Sequence, residues 1–186
     1  MTDMLSLWMP TVLSAVIVFI VSSLIHTVSG FHKNDYKMPP NQDALGDAMR
    51  PFNLAPGDYL IPRPSDMKEM GTPEFKAKAA RGPRVVFTVL PNGMGSMGAM
   101  LSQWFVYSLV ISIMAGYVAS RALAPAAPYL HVFRFVGAAA FLGYAGALWQ
   151  ATIWYGKGVA LTMRATIDGL LYALLTAGCF GWLWPH

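Results

Sequence analysis

Apolar residues gather in four blocks along the chain, at residues 7–28, 101–120, 129–155 and 165–184. Each is long enough for a helix to cross a hydrocarbon layer of about 30 Å. The last block carries one formal charge, Asp168, and places Ala165, Gly169, Ala173, Ala177 and Gly181 at every fourth position. At 3.6 residues per turn these fall along one side of a helix. In lipid, where apolar burial does not drive helices together, such a seam lets a second backbone come close enough for dispersion contacts. The second block repeats the pattern with Ser108, Ser112, Gly116 and Ser120, and the third with Ala139, Gly143 and Ala147. Either the seams pack against one another in one bundle, or one is left for a partner or a second copy.

The connection between the first two blocks changes character. Asn41 precedes a short helical stretch with Asp43 and Asp47 near its start, and Pro51 ends it. Thr72-Pro73-Glu74 is a second helix start, stopped by Gly82-Pro83 after Lys76, Lys78 and Arg81. Two strand-like runs, residues 58–61 and 84–90, predict a small antiparallel ribbon. A two-stranded ribbon is marginal in water, so it is expected to rest on a membrane face or a partner. The division is then residues 1–28 as the first membrane helix, 29–100 as a cap and 101–186 as helices two to four.

Charge orients these elements. The connection at 29–100 holds nine Lys and Arg against seven acids, the third connection adds Lys157 and Arg164, and the second offers only Arg121. The positive-inside rule then places the cap in the cytoplasm and both termini outside. Residues 1–7 lack Lys and Arg and contain Asp3, and no small-residue cleavage site follows Val28, so the first block is expected to be a retained anchor.

Composition agrees with a membrane protein: of 186 residues 55% are hydrophobic and only 12% charged, with mean hydropathy +0.46. A net charge of +4 without any basic run suits anionic headgroups better than DNA or RNA. The single cysteine, Cys179, excludes an intrachain disulfide and a cysteine-based zinc site.

Candidate chemistry is sparse. With the first helix running inward, His26, Gln103, Gln150, Arg164 and Asp168 share one depth near the cytoplasmic ends of the spans, and polar groups inside a membrane often mark a pathway. The plainer reading pairs Asp168 with Arg164 four residues before it and lets the amides bond between helices. On the other side Arg134 can snorkel to the headgroups, while His131, His186 and Asp3 have no fixed spacing for a metal. A haem between His26 and His131 is excluded, since these lie about 30 Å apart across the hydrocarbon. Gly93-Met94-Gly95-Ser96-Met97-Gly98 has the G-x-G-x-x-G form after a strand and before a helix. No acid stands about twenty residues on to hold a ribose, so nucleotide binding is not expected. Its glycine amides could hold a lipid phosphate. Met94, Met97 and Met100 carry soft thioethers of the kind that bind Cu(I), but the orientation puts them inside and Cys179 is remote. No hydrolase elbow, P-loop, paired-histidine zinc helix or c-type haem motif occurs.

Certain strings carry a resemblance: His32-Lys33-Asn34-Asp35-Tyr36, Asp47-Ala48-Met49-Arg50-Pro51-Phe52, Pro56-Gly57-Asp58-Tyr59, Pro62-Arg63-Pro64, Leu90-Pro91-Asn92-Gly93, Trp149-Gln150 and Asp168-Gly169-Leu170. Together they make the chain resemble a group of small, uncharacterised four-span bacterial inner-membrane proteins. That resemblance implies location and architecture and transfers no activity.

The expectation is an all-α membrane protein of four transmembrane helices with a small α+β cytoplasmic cap between helices 1 and 2. It should have no catalytic residues, cofactor, nucleotide or nucleic acid. Membrane lipids and a protein partner or second copy are its expected contacts. Two functions compete: a non-catalytic accessory or scaffold subunit whose cap, with Arg50, Arg63, Lys76, Lys78, Arg81 and Arg84, meets a partner or anionic lipids, and a small oligomeric transporter or channel using the polar layer around Asp168.

Overall fold

The computed structural model describes residues 2–186 and divides into two compact units, one made of residues 2–37 and 95–186 and the other of residues 38–94. The first unit is helical. It contains α1 (Trp8–Thr27), α4 (Met97–Ala122), α5 (Tyr129–Ala145), α6 (Leu148–Tyr155) and α7 (Val159–Trp182). The second holds α2 (Gln42–Met49), β1 (Gly57–Ile61), α3 (Pro73–Arg81) and β2 (Val85–Val89). Four helical stretches, Leu5–Thr27, Met97–Ala122, Tyr129–Tyr155 and Val159–Trp182, are long and apolar enough to cross a membrane. The third is broken between α5 and α6, where Gly146 and Ala147 interrupt it. A Cβ on Gly146 would lie 2.7 Å from the Leu142 carbonyl oxygen, so the break suits glycine.

Helix α7 packs along α5 for most of its length, and α1 lies against both α4 and α7. The small residues explain how closely. Ser108, Ser112, Gly116 and Ser120 of α4 are buried, as are Gly169, Ala173 and Ala177 of α7. Ser14 of α1 and Ser112 of α4 share a hydrogen bond of 3.0 Å. Within a membrane such a bond contributes about 0.6 kcal/mol. On α5 the buried face is Val132, Val136, Ala140 and Tyr144, one residue away from the Ala139, Gly143 and Ala147 steps. Gly143 instead meets α4, where Ile111 would lie 2.6 Å from its Cβ, and Ala147 is exposed at the break. Gly181 faces the Tyr129 ring. The seams are therefore largely taken up inside the bundle.

Around the outside stand large apolar side chains, among them Val12, Ile20, Val110, Leu170 and Leu174. Lipid is a suitable solvent for such a surface. At the end where the chain starts, Thr2 N–H donates to the Ser120 carbonyl at 3.1 Å and Thr2 Oγ1 to that of Leu123 at 3.1 Å. Trp184 Nε1 donates to the Ala124 carbonyl at 3.0 Å and Ala126 N–H to that of Pro185 at 2.8 Å. Both ends of the sequence are thus tied to the turn after α4.

In the second unit the local signals act as their chemistry dictates. Asn41 accepts from Ala44 N–H at 3.0 Å and Thr72 from Phe75 N–H at 3.2 Å, capping α2 and α3. β1 and β2 pair antiparallel with Tyr59 opposite Phe87, their rings stacked at 5.4 Å. Before α3, the Ser65 hydroxyl and amide both donate to the Glu69 carboxylate, which holds that carboxyl below its usual range. No residue of 38–94 is buried.

Candidate functional site

A charged cluster forms where α1 ends, built by the nine residues after it. The N–H groups of Val28 and Ser29 both bond to the Leu24 carbonyl, and the Ser29 hydroxyl donates to Ile25 and accepts from Phe31 N–H. Gly30 then turns the chain at φ +64°, a conformation that side-chain-bearing residues avoid. Tight turns follow through Lys33 and Asp35, each amide bonding three residues back. The result brings His32 and Asp35 against α7, from which Arg164 and Asp168 project one turn apart.

These four side chains alternate between basic and acidic. Arg164 Nε lies 3.0 Å from Asp35 Oδ1, Asp35 Oδ2 lies 2.7 Å from His32 Nδ1, and His32 Nε2 lies 2.8 Å from Asp168 Oδ2. Their side chains are 22%, 11%, 15% and 9% exposed in the order Arg164, Asp35, His32, Asp168, so water screens them little. Only the middle contact is an aligned hydrogen bond. The two outer contacts are close in distance but lie off the hydrogen-bond axis, so they act as charge contacts. The His26 ring stacks on that of His32 at 4.3 Å between centroids, and its Nδ1 lies 2.9 Å from the Ser22 carbonyl oxygen. One ring nitrogen of each histidine and one oxygen of Asp168 lie within 4.8 Å of one another.

Below this layer charge gives way to rings, small residues and the buried hydroxyls of Ser108, Ser112 and Thr176. Trp104, Tyr144 and Tyr172 pack with centroids 5.5 to 6.4 Å apart, and Trp104 Nε1 donates to Ser22 Oγ at 2.7 Å. Such aromatic pairs contribute about 0.5–1.5 kcal/mol each beyond their buried area. Val136, Ala140, Ala173, Ala177 and Phe180 fill the remainder of the core.

Of the five polar residues read from sequence, His26, Arg164 and Asp168 meet here. Gln103 and Gln150 do not: both are exposed. Arg164 pairs with Asp35, and Asp168 with His32. His131, Arg134 and His186 are exposed, as are Met94, Met97 and Met100. His32 and Asp35 were missed because they follow the apolar block and read as loop. Their signal was the spacing itself, a histidine six residues after His26 with an acid three residues on. No protein-family model, curated protein or solved structure matches the chain.

Proposed function

We propose that the protein is a non-catalytic accessory subunit of a bacterial inner-membrane complex, with its termini in the periplasm and residues 38–94 exposed to the cytoplasm. The bundle is its anchor. The observation that carries this reading is that residues 38–94 bury none of their side chains, yet expose Phe52, Leu60, Val86 and Leu90. A two-stranded ribbon with so little core is marginal alone and gains stability by burying that apolar surface against another protein. The basic side chains of Lys76, Lys78 and Arg81 supply orientation and encounter rate for an acidic partner surface.

The competing reading is a transporter or channel centred on Asp168, and the buried charge cluster is what favours it. The core from Tyr144 and Tyr172 to Phe180 counts against it, since among the described residues no buried charge besides Asp168 continues the layer and only hydroxyls such as Ser108, Ser112 and Thr176 lie beyond it.

One comparison tests the accessory role. In the purified full chain, the β1 and β2 amides are expected to exchange with deuterium rapidly, whereas in native membranes the same amides are expected to be protected at least tenfold (roughly 1.4 kcal/mol). Equal protection in both would contradict the reading. Liposomes carrying the wild-type chain should show no more ion flux than empty vesicles, and a flux abolished by Asp168→Asn would replace the accessory role with transport.

A further inference from the structure

We infer that His26, His32 and Asp168 form a binding site for one divalent transition-metal cation of the zinc type. This inference is independent of the accessory role proposed above. Its starting point is a proximity of ligand atoms: one nitrogen from each imidazole and one carboxylate oxygen, all within 4.8 Å of one another. Ligands on a tetrahedral cation of this kind, with bonds of about 2.0–2.2 Å, stand roughly 3.3–3.6 Å apart. His32 Nε2 and Asp168 Oδ2, at 2.8 Å, therefore need to part by roughly 0.5–0.8 Å to admit it.

The surroundings point to a ligand more strongly than the distance does. His32 Nε2 is buried and has no aligned hydrogen bond, although it lies beside a carboxylate. Its other nitrogen is held by Asp35 at 2.7 Å, and Nδ1 of His26 is held by the Ser22 carbonyl at 2.9 Å. Metal-binding histidines are oriented in this way, with the second ring nitrogen donated to a carboxylate or a carbonyl so that the first presents its lone pair. His32 thus offers Nε2, with Asp35 as its positioning residue, and His26 offers Nε2 once its ring leaves the stack on His32. Asp35 is in turn fixed by Arg164.

Two imidazoles and one carboxylate suit a borderline cation such as Zn²⁺ better than Ca²⁺ or Mg²⁺, which prefer all-oxygen shells. Three protein ligands leave at least one position for water or another small ligand. Coordination requires the exposed His26 ring to swing out of its stack on His32. A cleft of about 210 Å³ lined by Ser22, Ser23, His26, Leu101 and Trp104 gives that ring room to move.

The test uses the full chain, purified in mild detergent without a histidine tag, stripped with chelator and titrated with Co²⁺. One equivalent is expected to bind per chain, with a visible absorption band that equimolar Zn²⁺ abolishes. His26→Gln and Asp168→Asn should each weaken binding by at least tenfold, and Asp35→Asn by about 10- to 100-fold. His131→Gln and His186→Gln should leave it unchanged. Absence of a saturable equivalent in the wild-type protein would overturn the inference, and that result depends on no variant. Binding retained by His26→Gln, a change at an exposed position with little bearing on folding, would overturn it too. So would loss of binding in His131→Gln or His186→Gln.

Discussion

Replacing Asp168 with alanine is expected to destabilise the bundle by about 3–5 kcal/mol, the cost of removing one partner from a buried charge pair. The carboxylate sits 2.8 Å from His32 Nε2, and its side chain is 9% exposed. Its loss removes the acid that lies beside a buried imidazole nitrogen, while Asp35, itself paired with Arg164, still holds the ring from its other side. Asp168→Asn keeps an oxygen at the same position and should lose less than half as much. Thermal unfolding in mild detergent with chelator present, followed by circular dichroism, measures both. The exposed change Asp43→Ala, in α2, provides the reference, and a loss from Asp168→Ala no larger than that would show the cluster to be an incidental surface arrangement.

The second large effect belongs to Gly169. A Cβ there would stand 2.9 Å from that of Ala145, 3.3 Å from that of Tyr144 and 3.4 Å from the Tyr144 backbone carbon. All three of these atoms are fixed by the α5 backbone, so relief requires the α5–α7 spacing to open. Gly169→Val is expected to cost about 1–3 kcal/mol, with the upper end favoured because no flexible side chain can yield. Gly178, on the same helix, has only the Tyr129 hydroxyl at 3.9 Å. Gly178→Ala should stay within about 0.5 kcal/mol of the parent protein. Unfolding by a graded increase of denaturing detergent distinguishes them, and similar midpoints for the two variants would mean that α5 and α7 are not in close backbone contact.

The sequence carried much of the fold because the signals were local. Uninterrupted apolar length marked the four spans, and caps at Asn41 and Thr72 together with the Gly82-Pro83 stop marked the short helices. What it could not supply was rotation about the helix axis. Small residues spaced by four on α5 identify a stripe but not its neighbour, and Gly143 faces α4 while Ala140 and Tyr144 face the core. Gln103 shows the same difficulty. It shares the depth of the cluster, yet five residues before the buried Ser108 it lies about 140° around α4, outside the packed face. Gln150 falls beyond the break at Gly146, where the period of α5 no longer applies. The site was half legible for a different reason. Asp168 and Arg164 stand out as charges at the edge of an apolar block, whereas His32 and Asp35 acquire their role only when Gly30 turns the chain back toward α7.

That juxtaposition gives the account its central claim: the largely buried, paired charges collect in one layer at one end of the bundle, above an interior closed to water. Single cysteines placed along α7 in a Cys179→Ala background, labelled in sealed vesicles with a water-soluble, membrane-impermeant maleimide, test it most directly. Arg164→Cys should react from one side only, and Ala173→Cys, Thr176→Cys and Ala177→Cys from neither. Reactivity continuing from position 164 through 173, 176 and 177 would mean that water follows α7 through the bundle, and the closed interior described above would be wrong.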